Sequence, residues 1–600
     1  MASSTVLSAT RNTIKKTNLS FSFRLFSNTS SSSPFSYLCR KHNVFAPPQP
    51  PPVPKKVPHA VSAHGVLRQD PYHWMSNTND PDFINYLHQQ NNYADAFMED
   101  TSELQRTLYS EMINRIPSKI FTPPEKWGPW LYYQYIPEGK EYPVLCRKLA
   151  NDRKGWMMKL VDYMTVGSRE EILLDWNEIA ELYGYVHVGT CRVSPDHNFL
   201  AYTLDITGSE NFVLQIKDLK KNSIIPNYRV EGVVSLAWAQ DGCTLFYTLC
   251  DQNQRPHRVQ CIKLGSDSVD NTPLFVENDS RFCVDITSTK DSKFITVNSN
   301  SRTSSEVYII DALNPQSGIQ RFRKRLSGVQ YFLEHHHGFF YVLTDAPVSK
   351  NESSSNGNYY LATCRAEDFQ SNDFQNIFLP SDDMCLLDMD ICNEHLVLFL
   401  NREGTSSICS INLPFPANCK SNMKIDDLDP WFFPLPSNIC TISPGSNHDF
   451  TSSVYRVVLS SLVMPDVVID YNMTRKTHTV VHQEVVTNIY PCGEGSLNIK
   501  NTDEFLDTQI EKKKNGLQNE VQELVEFSST YFCERKEVIS HDGVRVPLTI
   551  FCSREVYKEG QSPGLLHVYG AYGEVLDKSW CSDYLSLLER GWVIAFADVR

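Results

Sequence analysis

Apolar residues recur along this chain in short runs divided by turn residues, and the pattern divides the chain into three regions. From Trp127 to Val525 it is strand-like. Residues 192–219 (RVSPDHNFLAYTLDITGSENFVLQIKDL) form one unit: a Ser-Pro-Asp turn leads into Phe199–Thr203, and a Gly-Ser-Glu turn leads into Phe212–Ile216. The layout returns at 236–262, again at 284–311, and more weakly at 330–343 with 359–363, at 387–411 and at 452–470. A repeat of forty to fifty residues built from several short strands is the signature of a β-propeller. Each blade exposes two apolar faces that only neighbouring blades can bury, so the repeats must close into a ring. A β-sandwich is the alternative, but the period holds over roughly 350 residues and a sandwich seldom exceeds ~250. With residues 127–165 as the first blade, seven blades are predicted.

Two flanking regions follow other periods. Residues 66–116 read as helical. Phe83, Tyr86, Leu87, Tyr93, Ala94 and Phe97 form one stripe, and Leu104, Leu108, Met112 and Ile116 continue it up to Pro117. At the other end, Asp542-Gly543 between alternating strands predicts a hairpin of 531–539 with 544–551. A buried strand at 565–568, a glycine-punctuated loop at 569–574, a helix from Ser579 to Arg590 and a strand at 592–597 then form a βαβ unit. Trp580, Tyr584, Leu587 and Leu588 share one face of that helix; Ser579 suits its N-cap and Gly591 its C′ position. Short connections favour parallel pairing through a right-handed crossover. Such a sheet needs cover on both faces, and residues 592–597 are expected as an exposed hydrophobic edge that invites aggregation, with a poorly ordered C-terminal portion.

Charge adds a division. The overall balance is −14, yet residues 1–56 hold eight Lys or Arg and no acid, so the remainder is more acidic still. That excludes a nucleic-acid-binding surface as the expected role. The first forty residues are rich in Ser and Thr and lack Asp and Glu, the composition of a transit peptide; Ser density favours the chloroplast, with the mitochondrion, or the cytoplasm for an untargeted chain, as alternatives. The segment 46–54 (APPQPPPVP) reads as an extended spacer. No run approaches the ~18–20 apolar residues of a membrane helix. The 17 cysteines include no C-x-x-C pair, which suits structural thiols in a reducing compartment. His335-His336-His337 lacks partners at metal-ligand spacing and reads as a polar turn, so no metal or other cofactor is expected. Residues 493–524 are polar and read as an insertion or linker.

One G-x-S-x-G match exists, at 560–564. It follows a polar loop and opens a strand, whereas a nucleophile elbow follows a strand and opens a helix. The residue after the nucleophile must also donate its N–H to the oxyanion hole, and here that residue is Pro563, which has none. Ser562 is therefore a turn residue. His541 and Asp542 lie in the hairpin turn and are not substitutes for a catalytic pair.

Helices, then propeller, then an α/β-hydrolase start: this chain resembles the prolyl oligopeptidase family of serine peptidases, and within it the oligopeptidase B branch. The resemblance is carried by Asp70-Pro71-Tyr72-His73-Trp74-Met75, by 132–144, by the blade at 194–219, by Ser540-His541-Asp542-Gly543 with Pro547, and by Tyr569-Gly570-Ala571-Tyr572-Gly573. It implies a seven-bladed propeller over an α/β-hydrolase domain that cleaves short peptides through a Ser-His-Asp triad and an acyl-enzyme. It also implies that Tyr572 donates its hydroxyl to the oxyanion. The family's nucleophile, acid and histidine all fall after the position matching Arg600, so an incomplete hydrolase domain and an inactive 600-residue chain are expected. The expected division is 1–57 transit-like segment and spacer, 58–126 helices packing on the hydrolase domain, 127–525 propeller, and 526–600 start of the peptidase domain. A truncated, non-catalytic propeller that binds a partner is the alternative, and P1 specificity for basic residues or proline stays open.

Overall fold

The computed structural model describes residues 50–599 apart from 118–119, 151–169, 267–271, 348–357, 372–373, 382–383, 403–404, 416–421, 437–440, 485, 487–523, 525–526 and 571–575. The spacer's start, most of the polar insertion and Tyr572 lie outside the described residues.

Among the described residues seven antiparallel sheets follow one another, over 120–175, 187–231, 233–276, 283–323, 331–378, 384–432 and 441–483. They are blades 1 to 7. Blade 1 takes in the short strands Ile120–Phe121 and Glu125–Trp127, which the sequence pattern assigns to the segment before the propeller. Blade strands such as Phe199–Asp205 are buried on both faces, because each sheet is sandwiched between two others. Six apolar clusters each straddle one pair of successive blades, from Leu174 and Leu200 between blades 1 and 2 to Val397 and Val457 between blades 6 and 7.

The seventh seam differs. Among the described residues no apolar cluster joins blade 7 to blade 1, whose remaining face carries only a small group around Tyr133, Val144 and Cys146. Polar groups close the ring instead. Glu125 accepts the His448 N–H at 2.6 Å and lies 2.8 Å from its Nδ1. Arg456 grips Asp470 bidentately at 2.7 and 2.9 Å and donates at 3.1 Å to the carbonyls of both Pro123 and Pro124. Trp127 stacks on His448 at 5.0 Å.

The N-terminal region is helical in two pieces, Pro81–Met98 and Ser102–Arg115. Asp80 caps the first by accepting the Asp82 N–H at 2.8 Å, and Pro81 stands at N1 as helix starts favour. Residues 66–69 are not helical: they pair with Ala60–Ala63 around a two-residue turn in which His64 and Gly65 both have positive φ. Of the expected stripe, Phe83, Tyr86, Tyr93 and Phe97 are half-buried, while Leu87, Ala94 and Leu104 face solvent. The second helix is tied to the C-terminal region. Arg115 bonds Ser586 and pairs with Glu589 at 2.7 Å, and Arg590 pairs with Glu111 at 2.8 Å.

The C-terminal sheet has the order Tyr531–Ile539, Arg545–Ser553, Val593–Asp598, Gly564–Tyr569. The first pair is the Asp-Gly hairpin, and the last pair is parallel. This order corrects the expected edge. Val593–Asp598 is an interior strand, because it also pairs antiparallel with Arg545–Ser553. Among the described residues Gly564–Tyr569 and Tyr531–Ile539 are the edges, and on the former Leu566 is 59% and Val568 52% exposed. The helix is also shorter than expected, Asp583–Leu588, and Ser579 does not cap it. Ser582 precedes it, and the Trp580 N–H is bonded instead to Ser460 Oγ of blade 7 at 2.8 Å. Of the predicted face, Trp580 and Leu588 are buried against Ile594 and Phe596 while Tyr584 and Leu587 are partly buried; Leu585, outside that face, is buried with them, and Leu462 and Val463 of blade 7 share the core.

Candidate active site

In an open α/β sheet, ligands bind beyond the carboxyl ends of parallel strands. Here that place is the end of the parallel pair, where Tyr569 and Asp598 are partners in register. Gly570 follows directly. A Cβ on it would lie 1.5 Å from the Val599 carbonyl oxygen, so no other residue fits the close passage of the two chains. The loop that leaves Gly570 returns at Leu576. There Asp598 receives the Lys578 ammonium at 2.9 Å and the Leu576 N–H at 3.3 Å, and Lys578 also donates to the Leu576 carbonyl at 3.1 Å. Lys578 is buried, which makes this a desolvated pair whose loss would strand a carboxylate. The chain then passes Trp580, stacked on Phe527 at 5.4 Å and bonded to blade 7. Both exits of the loop are thus fixed, one on the sheet and one on the propeller.

Tyr572, the expected oxyanion donor, belongs to this loop and lies outside the described residues. Ser562 sits in a turn: its Oγ accepts the Lys558 N–H at 2.9 Å, and its own N–H returns to the Lys558 carbonyl at 2.9 Å. Asp542 is exposed and bonded to Ser540, which holds its carboxyl below the ordinary range, and it accepts the Val544 N–H at 3.3 Å within the hairpin turn. The geometry brings neither His541 nor Asp542 to a serine on a strand-to-helix turn. The His triplet is only partly a turn: His335 and His336 end the strand Tyr331–His336, and His337 has positive φ. His335 Nδ1 lies 2.6 Å from Asp291, and His336 Nε2 lies 2.7 Å from the Asn393 carbonyl. Two residues that sequence reasoning passed over, Lys578 and Asp598, organise the loop. The available signal was an acidic residue closing the apolar run 593–597 at the carboxyl end of a parallel strand.

The chain thus joins a seven-bladed propeller to a mixed sheet whose loop leaves the carboxyl end of its parallel pair. Residues 51–484 match the family described as prolyl oligopeptidase, N-terminal beta-propeller domain. The chain belongs to the prolyl oligopeptidase family. It is similar to "Protease 2" of Moraxella lacunata, 26% identical over 553 residues, covering 92% of this chain and 70% of the relative. "Dipeptidyl aminopeptidase BI" of Pseudoxanthomonas mexicana is 26% identical over 564 residues, covering 92% and 69%. Among solved structures, oligopeptidase B from Leishmania major superimposes with a TM-score of 0.75 at 21% identity, covering 92% of this chain and 72% of that one.

Proposed function

We propose that this chain carries the propeller and the opening strands of the catalytic domain of a serine endopeptidase that cleaves short peptides through an acyl-enzyme. The observation that supports it best is the loop following Gly570, held by Asp598 at the carboxyl end of the parallel pair and tied to blade 7 through Trp580. A peptide carbonyl attacked at this edge develops an oxyanion, and Tyr572 on the loop is the donor that stabilises it. The propeller limits access to short peptides. The 600 residues alone do not hydrolyse peptides, since among the described residues no serine stands on an elbow beside a histidine. Residues 1–57 direct import into the chloroplast.

The test is the transcript read past the codon for Arg600. A G-x-S-x-G preceded by a strand supports the peptidase reading, and a stop codon there favours the non-catalytic propeller. In a catalytically competent product, Tyr572→Phe should lower kcat by about 10²–10³-fold with little change in KM. An unchanged kcat would remove Tyr572 from the mechanism. Basic and prolyl peptides assayed side by side would assign P1 specificity, and import of a fluorescent fusion of residues 1–57 would test the organelle.

A further inference from the structure

A cavity of about 390 Å³ lies on the propeller axis, at the mouth away from the C-terminal sheet. All seven blades contribute to its wall. The register of blade 7 fixes which mouth it is. Ser460, which holds Trp580 of the sheet region, pairs with Thr441, whereas the cavity is lined by Pro444 and Tyr455, three to five residues further along their strands. The volume falls in the range of small-molecule sites.

The lining combines two chemistries. Trp127, Trp238 and Phe399 supply aromatic surface, and Glu334, Asp388, Asp390 and Asp291 supply carboxylates, with Arg192 and Lys290 as the permanent cations of the wall. One ammonium is already seated there. Lys290 reaches from blade 4 to Asp390 of blade 6, bonding its two oxygens at 2.8 and 2.9 Å, and Tyr455 of blade 7 donates to the same carboxylate at 3.1 Å. Glu334 and Asp388 have no ion pair among the described residues. Glu334 accepts the Lys290 backbone N–H at 2.8 Å, and Asp388 accepts the N–H of Met389 at 2.8 Å. Burial pushes the Glu334 carboxyl up to about 8 and raises that of Asp388. Both acids are kept from water, and Lys290, committed to Asp390, offsets this only in part at Glu334.

The class of cation follows from the spacing. Among the described residues no three carboxylate, imidazole or thiolate groups converge as a metal would require. Dispersed carboxylates between aromatic walls fit an organic cation, whose charge is spread and whose flank packs on rings.

We propose that this axial cavity is a binding site for a small organic cation, an alkylguanidinium or alkylammonium group seated against Glu334 and Asp388 between Trp127, Trp238 and Phe399. The site is separate from the loop beyond Gly570 and does not depend on the peptidase reading.

Titration calorimetry of the 600-residue chain with propylguanidinium, against neutral propylurea and against NaCl at matched ionic strength, tests it. Saturable binding of propylguanidinium at a one-to-one ratio is expected, at least tenfold tighter than propylurea. Glu334→Gln and Asp388→Asn should each weaken it tenfold or more while leaving thermal unfolding of the free chain within a few degrees. Quenching of tryptophan fluorescence should saturate at the same concentration. Equal binding of the urea, an effect reproduced by NaCl, or full affinity in both variants would overturn the proposal. Because the urea comparison uses the unaltered chain, it decides the matter even where a variant fails to fold. An N-acetyl-arginine amide binding as tightly as propylguanidinium would identify peptide side chains as the source of the cation; its exclusion would identify a free amine or guanidine.

Discussion

Replacing Arg456 by methionine should open the propeller at the seam between blades 7 and 1. The substitution keeps the methylene stem and removes four hydrogen bonds at once: two to Asp470 and one each to the carbonyls of Pro123 and Pro124. The pair with Asp470 lies within blade 7, so only the two bonds to the proline carbonyls cross the seam. A hydrogen bond from a charged donor contributes about 1.5–3 kcal/mol, and at the lower end the two together contribute about 3 kcal/mol. The other six interfaces are apolar and unaffected, so the loss should be local. At 1.4 kcal/mol per tenfold, the opening equilibrium of the seam should rise by about 150-fold. Native-state hydrogen exchange reads this directly. Amides of Trp130–Ile136 and Val454–Ser461 should exchange faster by that factor, while those of Phe294–Asn300, on the far side of the ring, keep their protection. Less than a threefold change at blade 1, or uniform loss of protection around the ring, would refute the view that polar groups close it.

Acid should act on the same seam. Burial raises the Glu125 carboxyl, but His448 and Arg456 outweigh it and the net shift is downward. A lowered folded value gives stability that is present above the ordinary glutamate range and is lost as pH falls through the folded value. Blade 1 amides should therefore lose protection below about pH 4.5 before the other blades, and Glu125→Gln should abolish that step. Gly570→Ala forces a Cβ onto the Val599 carbonyl and should expose residues 564–599 to limited proteolysis while the propeller stays resistant. Trp580→Ala empties a fully buried site between sheet and blade 7 and should cost about 3–5 kcal/mol, seen as early, separate melting of the C-terminal sheet. Lys578→Met should leave the buried end of Asp598 unpaired and raise cleavage within 570–578, with wild-type mobility restored by adding Asp598→Asn.

The blades were legible because two-sided burial writes itself into the sequence as runs like Phe199–Thr203 and Leu245–Thr248, each preceded by an Asp turn. Asp241 shows why such turns recur: its carboxylate accepts the N–H groups of Cys243 and Thr244, a local bond that a local pattern reveals. The helix Pro81–Met98 was legible for the same reason, with cap and first residue adjacent. The ring closure was not, since Glu125 and His448 stand 323 positions apart and neither is unusual in its own context. The helix start was not legible either: Ser582 precedes it in place of Ser579, and Trp580 is bonded to Ser460, 120 positions away. Strand order was invisible too. The run 593–597 looks like any buried strand, and only pairing with Arg545–Ser553 makes it interior and leaves Leu566 and Val568 on the edge. At the candidate site, the glycine before the loop and the rejection of Ser562 followed from backbone chemistry, while the Lys578–Asp598 clasp needed the fold.

Labelling the purified 600-residue chain with a fluorophosphonate probe, alongside cleavage of basic and prolyl fluorogenic peptides, tests the central claim most directly. On the proposed function, the loop that follows Gly570 serves a nucleophile that the described residues do not assemble, and the proposal therefore predicts neither a covalent adduct nor turnover. Stoichiometric labelling of a serine within the chain, with peptide cleavage lost on its substitution by alanine, would contradict it.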